Sequence, residues 1–183
     1  MVKRVTGMST ELNRMYRYLD DLADREDLIA DIRRVRRVVL QVMDYVPRDK
    51  WYEPRYHNWT PAAMLGHLHL MDNFLLYWTQ LALVGIHPRI SPGMRDRFND
   101  TMARVFKNRL VETTIKGIQG NEGRICDFIL HLPMERFTRQ VFSPVWQTYL
   151  TVEQGLQEFF LYHWQDHLNT MREVEDLRYE SNE

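Results

Sequence analysis

Seven histidines punctuate the chain, and two of them, His163 and His167, stand four residues apart. On a helix that spacing puts both imidazoles on one face, about 6 Å apart, where one divalent cation can sit ~2.0–2.1 Å from a nitrogen of each. Spacing alone is weak, because a chain with this histidine content carries such a pair by chance roughly once in four cases. The surroundings sharpen it. Leu156, Phe160, His163, His167 and Val174 recur at helical intervals, so both rings lie on the stripe that should face the core. His67 sits the same way on another stripe, Ala63, His67, Leu70 or Met71, Phe74, Trp78 and Leu81. Desolvated imidazoles need a partner, and three of them on two core faces suggest a shared metal.

The remaining histidines read differently. His69 is two residues past His67 and points about 200° round the helix, toward Asp72, Asn73 and Gln80. His57 and His87 fall in loops, and His131 sits beside a helix end. Asp166 could orient the His163 ring, although a solvated acid is the simpler reading. No carboxylate falls on the His163/His167 stripe, so the sequence names no general base and no catalytic residue. Trp164 stands where the HExxH motif of zinc proteases has its glutamate, which argues against that chemistry. There is no Glu-x-x-His pair for a di-iron bundle and no Gly-x-Ser-x-Gly nucleophile elbow. Three neutral imidazoles leave a metal net positive with an open position, as catalytic sites do. Such a metal lowers the pKa of bound water toward about 7 or holds a thiol as thiolate, and protons compete for the ligands below about pH 6.5.

The elements that position these rings are helical. A first stripe, Leu12, Met15, Leu19 and Leu22, is followed by Leu28, Ile32, Val35, Val39, Val42 and Val46, as one helix or two. Thr60 is a good N-cap with Pro61 at the first helical position. A shorter helix is expected over Arg95 to Asn108, in the loop that follows. A third long stripe runs Ile115, Ile118, Glu122, Ile125, Ile129 and Leu132, and stops before Pro133. Its Gly117, Gly120 and Gly123 cost about 3 kcal/mol of helix propensity together, and read as close packing or a frayed start. Phe137 to Leu150 looks extended and irregular, and the last helix opens at Thr151. The spacing predicts an all-α four-helix bundle, its main helices near 26–46, 61–85, 113–132 and 152–175, with extra N-terminal and loop helical segments.

Length and composition agree. The 183 residues, 44% hydrophobic and 27% charged, suit a single domain over 1–183, with 1–8 and 177–183 expected to be flexible tails. A net charge of −1 argues against a nucleic-acid coat. The Arg33–Arg37 cluster reads as a solvated face. One cysteine, Cys126, excludes an internal disulfide and a Cys-rich zinc module. The longest apolar stretch, Phe74 to Ile86, is interrupted by Thr79 and Gln80 and is too short for a membrane span. The start, Met1-Val-Lys-Arg-Val-Thr-Gly, has no apolar run behind it, so no signal peptide is expected and a cytoplasmic location is the default.

Two segments carry a resemblance. Asn58-Trp-Thr-Pro-Ala-Ala-Met-Leu-Gly-His67-Leu resembles the W-S/T-x-x-x-x-L-x-H opening of helix two in the DinB-like (DinB/YfiT-like) family. The segment from Thr151 to His167, with its H-x-x-x-H, looks like that family's last helix. The resemblance spans about Leu12 to Glu175, although only these two segments are specific. It implies an up-down-down-up bundle, often a homodimer, with a zinc or nickel ion on His67, His163 and His167. It also implies a small-molecule substrate, with proteins described as hydrolases and transferases using low-molecular-weight thiols among the relatives. Two functions of different class follow as expectations. One is a metal-dependent enzyme with an open coordination position. The other is a non-catalytic dimeric bundle whose metal is structural, closed by a fourth ligand such as His69 or Asp72. The aromatic run Trp51 to Trp59 serves as a cover for the bundle end or as the rim of a ligand pocket.

Overall fold

The computed structural model describes residues 14–176, so the tails expected at 1–8 and 177–183 lie outside the described residues. Four long helices form the bundle: α1 (Leu22–Tyr45), α2 (Pro61–Leu83), α4 (Val111–His131) and a composite last helix. α3 (Pro92–Phe106) and the single turn α5 (Met134–Phe137) lie in the connections. The last helix is α6 (Val152–Gln157), a π-turn (Glu158–Tyr162) and α7 (His163–Val174) in succession. Each expected long helix is present, with ends shifted by a few residues.

Local chemistry sets the boundaries. Asp21 caps α1 by accepting from the Asp24 N–H, Thr60 caps α2 from Ala63, and Thr151 with Gln154 forms a full capping box on α6. Arg25 on α1 donates to the carbonyls of Leu130 and Leu132, supplying partners that the C-terminal end of α4 lacks within the helix. Leu28, Ile32, Val35, Val39 and Val42 of α1 are buried, as their spacing requires. α1 packs on α4 and on the last helix, while α2 packs on α4 and α3 and, more lightly, on the π-turn. The first two helices are therefore diagonal neighbours. No helix among the described residues is long and apolar enough to cross a membrane.

Two expectations are corrected. Residues 14–20 are not the extra N-terminal helix that Leu12, Met15, Leu19 and Leu22 suggested, Leu12 itself lying outside the described residues. Leu19 is fully buried, but Met15 is 90% exposed, because the segment runs as a strap whose backbone partners lie on the last helix. Gln157 accepts from the Arg17 N–H and donates to its carbonyl, both at 2.9 Å, and Glu153 accepts from the Leu19 N–H. The irregular stretch before the last helix is a hairpin, β1 (Gln140–Ser143) against β2 (Thr148–Thr151), antiparallel with Ser143 opposite Thr148. It is a small two-stranded appendage on a helical domain, with Pro144 in the turn.

Candidate metal centre

α2 delivers His67 from one side of the core, and α7 delivers His163 and His167 from the other. Their Nε2 atoms converge: His163 Nε2 lies 3.3 Å from that of His67 and 3.1 Å from that of His167. Three ligands about 2.1 Å from a tetrahedral centre stand about 3.4 Å apart, and cis ligands of an octahedral one about 3.0 Å. The observed separations fall between these limits. The rings cross at 71–79°, with centroids 4.7–5.3 Å apart, so all three edges face inward. Trp59 closes one side, its ring 5.1 Å from that of His67.

The protonation of the rings also suits a cation. His67 Nδ1 and His163 Nδ1 are buried without a hydrogen-bond partner among the described residues. Burial, reinforced by His167, lowers the His67 pKa to about 3, and burial lowers His167 to about 4 against the opposing pull of Asp166. Burial and then the two neighbouring imidazoles hold His163 well below the ordinary imidazole value. All three are thus neutral ligands at physiological pH. Protons therefore compete for the set only at a pH below the ordinary imidazole range.

The triad floors a cavity of about 470 Å³. Met64, Met71 and Leu75 of α2 form one wall, with Phe159 of the π-turn beside them. Tyr56, His57 and Trp59 line the cavity too, so the aromatic run before α2 does both things expected of it: Trp51 covers the bundle end, donating to the Val46 carbonyl, while Trp59 borders the pocket. His57 and Asn58 occupy the two positive-φ positions of a tight turn between Tyr56 and Trp59, which pair through two backbone hydrogen bonds. Arg55 and Tyr56 both bond to Glu175 at the end of the last helix and fix that turn.

The other candidate residues are engaged elsewhere or, like His57 and Asp166, line the cavity without joining the triad. His69 turns toward α4, where Arg109 donates to its Nδ1, and a Cβ on Gly117 would collide with its Nε2. Asp72 accepts from Arg36 and Trp164, so neither it nor His69 supplies a fourth ligand. Asp166 is paired with Arg14. His87 stacks edge-on against Tyr149, and His131 bonds the Asp127 carbonyl. Among the described residues, His67, His163 and His167 are the one group of metal-ligating side chains brought together.

Sequence reasoning missed one carboxylate. Glu158 lies five residues before His163, off its face on an α-helix, yet it lines the same cavity. The π-turn supplies the reason: the His163 N–H bonds to the Glu158 carbonyl, and the extra residue shifts everything before it by one position. Glu158 is fully engaged, accepting from Tyr16 at 2.5 Å, Arg14 at 2.8 Å and Trp146 at 2.9 Å. Periodicity carries no signal for such a turn.

No family model and no curated protein matches the chain. A solved structure does: YfiT from Bacillus subtilis, described as "a probable metal-dependent hydrolase with an unusual four-helix bundle topology", is 18% identical with a TM-score of 0.69. The alignment covers 90% of this chain and 93% of that one. At this identity the likeness shows architecture, and the chain is a four-helix bundle with the YfiT fold.

Proposed function

We propose that His67, His163 and His167 hold one divalent cation, zinc or nickel, and that the protein uses it to hydrolyse a small molecule. The observation that carries this reading is the convergence of three neutral Nε2 donors, 3.1 and 3.3 Å apart, on the floor of an open cavity with no fourth protein ligand among the described residues. Structural sites are closed by four protein ligands, whereas three plus an open position is the catalytic arrangement. YfiT, which shares the fold, is described as a probable metal-dependent hydrolase, and that supports the same chemistry here. A divalent cation held in this way supplies Lewis acidity toward water and toward a substrate oxygen.

The chain's own residues prepare the site. Burial keeps the three imidazoles neutral, so each is able to present an Nε2 lone pair to a cation. Trp59, Met64 and Leu75 put apolar surface beside the three rings. Glu158 has both oxygens engaged and serves to hold Arg14 and Tyr16 in place. The test is hydrolysis of a panel of activated esters and amides by metal-stripped protein before and after one equivalent of zinc or nickel. Activity should return with metal and be absent in His163→Ala. Full metal occupancy with no turnover on any substrate, and a thiol-transfer reaction in its place, would select the thiol-transferase reading.

A further inference from the structure

We infer that the cavity over the three histidines selects a neutral, largely apolar small molecule that presents a single metal-binding group. This deepens the metal reading above and rests on it.

The apolar wall is built in register with the site. Met64, Met71 and Leu75 lie three residues before, four after and eight after His67, so α2 turns all of them toward the same side. Phe159 of the π-turn lines the same cavity. Thioether side chains adapt to varied apolar shapes, so two methionines here suit a flexible tail better than one rigid ring system. A cavity of about 470 Å³ is in the range that buries a small organic ligand.

The charged residues around the cavity point the same way, because they are committed to one another. Arg14 donates to Glu158 and to both oxygens of Asp166, and lies against the faces of Tyr162 and Trp146. Arg95 is paired with Asp96 and reaches the carbonyls of Pro144 and Val145. Neither arginine offers a free fork for a carboxylate or phosphate. Two arginines and three acids line the cavity, a net charge of −1 without the histidines. Among the described residues, an anionic substrate therefore meets an excess of like charge and no unpaired cation apart from the metal itself.

The test uses a homologous series of hydroxamic acids on tails of chosen length, titrated calorimetrically at one pH and in one buffer into the full-length protein loaded with zinc. These acids are neutral in solution and bind zinc as the hydroxamate, with release of a proton to buffer. Each added methylene should tighten binding about fourfold, hence about fifteenfold from acetohydroxamic to butanohydroxamic acid. A hydroxamic acid of equal length ending in a carboxylate should lose that gain. Met71→Gln, at a half-buried position of the cavity wall, should flatten the dependence of affinity on tail length. Zinc uptake with affinity independent of tail length, or tighter binding of the carboxylate-ended probe, overturns the inference alone. An unchanged slope in Met71→Gln overturns the placement of the tail. Absence of zinc uptake overturns the metal reading and this inference together.

Discussion

Arg36 and Asp72 form a bidentate ion pair in the middle of the bundle, at 2.8 and 2.9 Å, with each side chain only 1% exposed. The Trp164 indole N–H donates to the same Asp72 carboxylate, and the Arg36 guanidinium lies 4.4 Å from the Trp164 ring centre. Trp164 follows His163 directly, and Asp72 is five residues past His67. One buried cluster thus ties α1, α2 and α7 together behind the three histidines and fixes the separation of the helices that carry them.

Breaking that pair should be expensive and replacing it cheap. Arg36→Met or Asp72→Leu alone strands a buried charge and should cost about 3–5 kcal/mol in urea denaturation. The double variant Arg36→Met/Asp72→Leu should recover most of the loss, because the pair's own desolvation is removed with it. Single variants within about 1 kcal/mol of the parent would contradict this account of the core.

Gly117 differs from the other two glycines of α4. Gly117→Ala should destabilise the protein, since the new methyl group collides with the His69 ring. Gly120 and Gly123 face open space, so alanine at either should stabilise by about 0.5–1 kcal/mol through helix propensity. Thermal melts of the three variants check the order. Equal effects would mean that His69 does not press on α4.

Much of this was legible in the sequence, and the exceptions have physical reasons. The long helices followed from apolar spacing and caps, and the three converging rings from their place on core stripes. The Arg33–Arg37 cluster read as a solvated face, yet Arg36 is buried, because its carboxylate partner, Asp72, is 36 residues away and leaves no local mark. Glu158 was invisible because a π-turn, not an α-turn, aligns it with the site. The strap over residues 14–20 keeps a helical apolar pattern, but its backbone hydrogen bonds go to Glu153 and Gln157 instead of to itself.

Acid should weaken the metal-free protein in a defined window. The three imidazoles have folded pKa values below their unfolded value, with His67 near 3 and His167 near 4. Above pH ~6.5 both states are neutral and the groups contribute no pH dependence. Below that, the unfolded chain takes up protons that the folded chain refuses. Stability therefore falls with falling pH, by up to about 1.4 kcal/mol per pH unit for each ring, until the folded rings titrate in turn. Denaturation midpoints between pH 7.5 and 5 measure the slope, which should be shallower in His67→Leu. A midpoint that rises on acidification would contradict the burial of these rings.

The most direct measurement is the metal content and zinc titration of the full-length protein and its histidine variants. The account predicts one divalent ion per chain, lost in His67→Ala, His163→Ala and His167→Ala and retained in His69→Ala, whose ring faces α4. Failure of the parent protein to bind zinc or nickel, or retention of the ion in His163→Ala, would contradict it.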